Sequence, residues 1–362
     1  MNQSLAAIFD GTPGTIKVRD IPLPELPGAE ILVRVLGCTL CGSDLHSFDG
    51  RRSVPIPTIL GHEIVGEIIA FGKTALRRDF AQRELIIGDR VTWAIVASCG
   101  DCFYCQRNLP QKCLRSVKYG HEIARPGQEL LGGLAEHCLL VGGTTIVRLP
   151  SELPLSVACP ANCATATIVA ALEAAGPVEN RNVCIFGAGM LGLTACAMAR
   201  CQGAAIVVCV EPDVARRQRA LTFGATHVSD CENLAAETRQ AGLQYGFDAV
   251  LELSGHPSTF DAAWPLIRMG GTLVLVGSVF PAAPVPLAFE QIVRRQLTIR
   301  GIHNYAPRHL LTAVEFLSRH HHDYPFVGLV TQWIALTSIA EAFELAKDPG
   351  AIRIGVHSPS GR

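Results

Sequence analysis

Apolar and polar positions follow two different rhythms along this chain, and the change comes near residue 164. Upstream, residues 1–36 alternate loosely, punctuated by Pro22, Pro24 and Pro27, and Ala29–Leu36 is the first strong strand pattern. Ile64–Ile69 and Arg90–Val96 are further short strands set off by Gly and Asp turns, and Gly133–Val141 returns to strand. Between the first two, Cys38–Asp49 is polar and contains Cys and His, unlike a core segment. Many short strands before any long helix predict an all-β, barrel-like first domain. Ala164–Ala174 is the first clear helical stretch and is expected to bridge into a second domain.

From Val183 the pattern becomes strand, helix, strand. Strands are predicted at Val183–Phe186, Ala205–Val210, His227–Ser229, Phe247–Glu252 and Gly271–Val276, with a last edge at Leu297–Arg300. Helices are predicted up to Cys201, over Pro212–Phe223, near Leu234–Ala241 and over Ser258–Met269. This is the pattern of a parallel, doubly wound sheet with a crevice at the C-terminal ends of its strands. Leu310–Arg319 and Ile339–Ala346 read as helices beyond it, and Ala351–His357 as a closing strand. No repeat or low-complexity tract stands out.

Composition narrows the function. With 362 residues there is room for two domains and a substantial core. A net charge of -1 and a charged fraction of 17% give no argument for nucleic acid or an anionic membrane. Three charge-free stretches are long, Leu153–Leu172, Asn182–Ala199 and Met269–Phe289, but Gly, Pro or polar residues interrupt each, so buried core is expected and not a membrane span. The first residues lack a basic region followed by an apolar one, so no secretory signal is expected. Fourteen cysteines then fit a reducing cytoplasm with thiolate metal ligands better than disulfides.

Two motifs carry chemistry. Val183–Leu193 contains Gly187, Gly189 and Gly192 in the spacing G-x-G-x-x-G between two apolar runs. The first glycine permits a sharp turn, the second leaves room for a pyrophosphate, and the third lets helix and strand pack closely. Helix-start amides then face the phosphates, with Met190 and Leu191 at that start. The strand Ala205–Val210 ends at Glu211, twenty-four residues after Gly187, where a carboxylate accepts the ribose hydroxyls of NAD and repels a 2′-phosphate. The second motif is Cys99, Cys102, Cys105 and Cys113. Short steps bring three thiolates to one point and the longer return closes a tetrahedron around a structural zinc with no open position. A dispersed set, Cys41 with Asp44 and His46 beside it and His62 with Glu63, supports two readings: an open zinc site, or a surface turn and a buried thiol.

Together these residues resemble the zinc-dependent alcohol dehydrogenases of the medium-chain dehydrogenase/reductase family, over nearly the whole chain. The resemblance implies a GroES-like catalytic domain, residues 1–164 and 302–362 with the zinc loop at 97–115, and a Rossmann NAD-binding domain at 165–301. It implies two zinc ions per chain. Cys41-Gly-Ser-Asp-Leu-His46 matches the motif of the first catalytic ligand and Gly61-His62-Glu63 with Gly66 that of the second. The third falls on Cys163, with Cys159 as the rival thiol, and Glu63 is a carboxylate able to exchange onto the metal. Ser43 matches the hydroxyl that contacts the substrate oxygen, His46 the relay to solvent, and Asp44 the carboxylate that orients His62. Glu211 and Arg216 match the adenosine-ribose contacts, while Arg217 adds charge that suits NADP. Thr167 matches a residue packed near the nicotinamide, Val276 and Ser278 the strand end at its carboxamide, and Arg353 either a pyrophosphate contact or a surface cation.

The implied reaction is hydride transfer between an alcohol and NAD in a cleft that closes against water. Gly301–Arg308 and Asp323–Phe326 resemble members associated with phosphonate catabolism, and Arg52, Lys118, His121 or Arg308 would then meet a phosphonate. Polyol, amino-alcohol and general alcohol substrates stay open; a cysteine at the third ligand position, where many polyol enzymes carry Glu, weighs against the first. A zinc-free NADP-dependent alkene or quinone reductase and a non-catalytic metal-stabilised protein are the readings from other classes. Cys184, Cys196, Cys201 and Cys209 read as buried small hydrophobes, His320–His322 as a solvated helix end, and Arg51 as a solvent-facing or entrance residue. A homodimer or homotetramer is expected, paired through edge strands around Leu287–Arg300.

Overall fold

The computed structural model describes residues 3–358. The chain divides into two compact units. One holds the residues up to Ala166 with Ala306–His321 and the segment from Phe326 on; the other holds Thr167–Tyr305 with His322–Pro325.

The first unit is built around the strand Ile31–Thr39, whose residues are buried on both faces apart from Arg34 and Leu36. It pairs antiparallel with Glu63–Phe71, with His137–Leu140 and, at its last residues, with Arg353–His357. The sheet runs Ile146–Arg148, Arg90–Trp93, Glu63–Phe71, Ile31–Thr39, Arg353–His357, Val330–Ala335. Phe9, Phe48, Trp93, Tyr119 and Phe343 fill its core. Cys38–Asp49 departs from its polar reading. It contains the helix Gly42–Phe48, whose Phe48 ring stacks on Phe343 at 4.1 Å and whose Asp44 is fully buried. A polar segment enters the core here because its polar groups are paired, as the site geometry shows.

The second unit is a six-stranded parallel sheet in the order His227–Ser229, Ile206–Val210, Asn182–Phe186, Phe247–Glu252, Ile267–Leu275, Thr298–Gly301. Phe186, Val208, Phe247, Val250 and Leu273 form its core. Two predicted elements differ. The helix from Ser258 ends at Ala263, a 3-10 turn at Trp264–Leu266 contains Pro265, and Ile267 already begins a strand. The expected edge at Leu287–Arg300 is mostly the helix Phe289–Arg295, leaving only Thr298–Gly301 extended. The charge-free stretch Leu153–Leu172 becomes a short helix at Leu155–Ala158, a 3-10 turn at Cys159–Asn162 and most of the helix Ala164–Ala175. Among the described residues no single helix is long and apolar enough to cross a membrane.

Candidate functional site

Three local structures bring four ligand atoms together in the first unit. Cys41 caps the helix Gly42–Phe48 directly after the central strand. Gly61, at φ +85, turns the chain so that His62 precedes the strand Glu63–Phe71; a Cβ at Gly61 would lie 2.7 Å from the Cys38 sulfur. Cys163 ends the 3-10 turn Cys159–Asn162. One ligand atom each from Cys41, His62, Glu63 and Cys163 lie within 4.8 Å of one another. Cys159 is not in this set; its sulfur would touch a Cβ placed on Gly37. Asp44 joins two of the pieces: Oδ2 accepts the Cys41 amide at 2.9 Å, while Oδ1 accepts the Gly61 amide at 3.1 Å and lies 3.3 Å from His62 Nδ1.

The protons of this set are unusually displaced. A hydrogen bond from the Cys163 thiol, aided by Arg353 and His62 against the cost of burial, holds the Cys41 thiol well below its ordinary range. That same bond and burial push Cys163 well above it. Burial opposes charge on His62, yet Asp44 and the Cys41 sulfur push it up to about 10. Two hydrogen-bonded thiols beside an imidazole are the groups from which a divalent cation displaces protons. Two sulfurs and an imidazole nitrogen, with a carboxylate alongside, suit zinc.

Sequence reasoning missed part of this site. Arg353 is buried, and donates to Glu63 Oε2 from Nε at 2.9 Å and to Oε1 from Nη2 at 3.0 Å. Its Nη2 also lies 3.7 Å from the Cys41 sulfur. The guanidinium is therefore neither a surface cation nor free for a pyrophosphate. Thr39 donates to Glu63 at 2.5 Å, and buried Asn162 donates to the carbonyls of His62 and Trp93 at 2.9 and 2.8 Å. Burial pushes Glu63 up while Arg353 opposes it. These partners are spread over the chain, and no local motif marks them.

Ser43 and His46 sit half-buried on the helix begun by Cys41. Burial and then Arg51 lower the pKa of His46. Arg51 itself is exposed and pairs with Asp49. Arg52 donates its amide to the His46 carbonyl at 2.9 Å and its Nη1 lies 2.6 Å from His121 Nε2. The His121 ring stands 5.0 Å from that of His62. Lys118 is half-buried; burial, then Arg52, brings its pKa down to about 8. Arg308 is exposed at the start of the helix Pro307–His320.

The four-cysteine loop has tetrahedral dimensions. Its sulfur–sulfur distances are 3.4 Å for Cys113–Cys99, 3.5 Å for Cys102–Cys105, and 3.9 Å for both Cys99–Cys105 and Cys102–Cys113. A tetrahedron with zinc–sulfur bonds of about 2.3 Å has edges of about 3.8 Å. The amides of Cys99 and Arg115 donate to the Cys113 sulfur at 3.3 Å each.

In the second unit, Gly187 turns at φ +99 after the strand Asn182–Phe186, and the helix Met190–Cys201 begins with Gly189 as its cap. A Cβ on Gly192 would lie 1.7 Å from the Gly187 carbonyl oxygen, whereas one on Gly189 would meet nothing within 4 Å. The turn is closed on one side and open on the other, as a phosphate cradle requires. Glu211 accepts the Ala188 amide at 2.8 Å and so ties the second strand to this turn. Arg216 lies in the first turn of the helix Val214–Thr222, and Arg217 is engaged by Asp230 at 3.1 Å and by the Glu211 carbonyl at 2.9 Å. Ser278 donates to buried Glu252 at 3.1 Å, just beyond Val276. The other oxygen of Glu252 accepts the amides of Ser254 and Gly255 at 2.8 and 2.7 Å, another arrangement that no sequence motif marked. Thr167 is half-buried on the helix Ala164–Ala175.

Comparison with known proteins agrees with both halves. Residues 27–151 match the alcohol dehydrogenase GroES-like domain and residues 191–319 the zinc-binding dehydrogenase family. Geraniol dehydrogenase of Castellaniella defragrans is 31% identical over 315 residues, covering 82% of each chain. L-threonine 3-dehydrogenase of Streptomyces avermitilis is 32% identical over 293 residues, covering 78% of this chain and 79% of that one. The crystal structure of an alcohol dehydrogenase from Thermotoga maritima superposes with a TM-score of 0.93 at 26% identity, over 99% of this chain and 100% of the other. A GroES-like unit with a catalytic and a structural metal cluster, joined to a Rossmann-like NAD-binding unit, places the chain in the zinc-binding alcohol dehydrogenases of the medium-chain dehydrogenase/reductase family.

Proposed function

We propose that this NAD- and zinc-dependent oxidoreductase interconverts an alcohol bearing a phosphonate with its aldehyde or ketone. The single observation that carries the alcohol chemistry is the convergence of Cys41, His62 and Cys163 with Glu63 beside them. Bound there, zinc would supply Lewis-acid chemistry toward the substrate oxygen. The chain's own residues do the rest. Cys41, His62 and Cys163 would hold the ion, and Asp44, 3.3 Å from Nδ1 of His62, orients its ring. Glu63 is engaged by Arg353 and Thr39, so Cys41, His62 and Cys163 are the residues that would hold the metal. Ser43 takes the substrate proton as it gives up its own, and His46, on the same helix, passes a proton outward; burial and then Arg51 lower the pKa of His46.

In the second unit Gly187, Gly189 and Gly192 with the amides of Met190 and Leu191 receive the pyrophosphate, and Glu211 receives the ribose. Arg216 flanks that ribose, and Thr167, Val276 and Ser278 are assigned to the nicotinamide end. The engagement of Arg217 by Asp230 favours NAD over NADP. The phosphonate rests on the resemblance of residues 301–308 and 323–326. A second reading, an amino alcohol, is favoured by the threonine dehydrogenase relatives.

The test is NAD reduction by zinc-loaded protein with matched alcohols, each with and without a terminal phosphonate. A preference above about tenfold, about 1.4 kcal/mol of transition-state discrimination, is expected for the phosphonate member. Equal or better rates with neutral alcohols would remove the phosphonate and leave the dehydrogenase.

A further inference from the structure

Beside the metal cluster lie two cations with no carboxylate of their own. Among the described residues Arg52 and Lys118 take part in no ion pair, although both are partly withdrawn from water. The only side-chain partner of the Arg52 guanidinium among the described residues is His121. His121 is buried, and its Nδ1 lies 3.1 Å from the Tyr119 carbonyl, which only an N–H at that position satisfies. Nε2 is then the acceptor for Arg52 Nη1–H, and His121 is neutral. The histidine thus adds no charge. It fixes one edge of the guanidinium and leaves the remaining N–H groups to a ligand.

The charges that act on the Lys118 ammonium are Arg52, Lys112 and the Cys163 sulfur; two repel it and the third is a metal ligand. Of the charges that act on Arg52 and Lys118, Asp44 is the one anion left once a divalent ion would cancel the two thiolates and Arg353 cancels Glu63; the nearby Glu122 carboxylate is engaged by the backbone amides of Lys118 and Ile123 at 3.5 and 3.3 Å. A positive charge remains uncompensated in a partly desolvated site, which is costly unless an anion joins it. Arg52 is one side chain removed from His62: Arg52 touches His121, whose ring stands 5.0 Å from that of His62.

We infer that Arg52, oriented by His121, and Lys118 form an anion subsite that holds the charged end of the substrate while its hydroxyl faces the metal ligands. This rests on the alcohol dehydrogenase reading of the Cys41, His62 and Cys163 set. A planar fork beside a point charge suits a tetrahedral oxyanion with three oxygens, such as a phosphonate, above a carboxylate with two.

The subsite is tested without turnover. Methylphosphonate and acetate are titrated calorimetrically into the zinc-loaded enzyme and into its Arg52→Gln and Lys118→Gln variants, with circular dichroism to establish that each variant is folded. The wild type is expected to bind methylphosphonate more tightly than acetate, and each variant to bind it at least about tenfold more weakly, about 1.4 kcal/mol. In parallel, kcat/KM for a phosphonate alcohol relative to its neutral partner should fall by a similar factor. Acetate bound more tightly would move the ligand class to carboxylates and overturn the phosphonate preference. Methylphosphonate affinity unchanged in both folded variants, or absent from the wild type, would overturn the subsite itself, even with neutral alcohols turned over. Variant-sensitive binding in a protein that oxidises no alcohol would instead leave the subsite and remove the dehydrogenase reading.

Discussion

Arg353 and Glu63 hold each other at the base of the catalytic cluster through two hydrogen bonds of 2.9 and 3.0 Å, both side chains out of water. Such a pair is weak evidence for stability as a pair, because desolvation offsets the attraction, but removing one partner strands a charge. Arg353→Ala should therefore destabilise the protein by about 3–5 kcal/mol, read from the urea midpoint. Arg353→Lys keeps the charge and loses the fork, so its midpoint should fall in between. An unchanged midpoint in the alanine variant would show that the Glu63 carboxyl is content with Thr39 alone. The residue scale is also where sequence reading is weakest. Arg353 read equally as a surface cation or a phosphate contact, because its partner lies 290 positions away. Thr39 and Asn162 escaped notice for the same reason.

At the scale of elements, the turn Gly187–Gly192 is set by local sterics. Gly192→Ala places a Cβ at 1.7 Å from a backbone oxygen that has no flexible end to move. The turn must open, and NAD binding, followed by nicotinamide fluorescence, should weaken by more than about tenfold, equivalent to more than about 1.4 kcal/mol. Gly189→Ala meets no neighbour in the protein, so any loss there reports the ligand's own approach. The Rossmann-like strands and this turn were legible because their signals are local: apolar runs of five or six residues, glycines at fixed spacing, an acid at a strand end. The four cysteines were legible for the same reason. Val330–Ala335 was not, since Thr331 and Gln332 are exposed and its pairing depends on the distant strand Arg353–His357. The helix Phe289–Arg295 was hidden as well, as its exposed apolar residues Phe289 and Val293 imitate an edge strand.

At the scale of the whole molecule, two metal clusters serve one unit while the NAD-binding turn belongs to the other. Metal analysis should return two zinc ions per chain, and Cys105→Ser should return one. That variant should melt at a lower temperature, because structural zinc contributes folding free energy directly. Its NAD affinity should stay near the wild-type value, since the dinucleotide turn folds on its own sheet; a parallel loss of NAD binding would show that the loop supports more than its own unit. The first unit has a further property: its chain leaves at Ala166 and returns at Ala306. During synthesis the Rossmann-like unit can therefore be complete while the metal-binding unit still lacks its final strand. Glu63 waits for Arg353 through most of translation, so a ribosome that stalls late releases a chain able to fold its nucleotide site before its catalytic one. Quality control acting on this protein would meet Cys38 and Thr39, the end of the central strand, without their last partner as the mark of an unfinished copy.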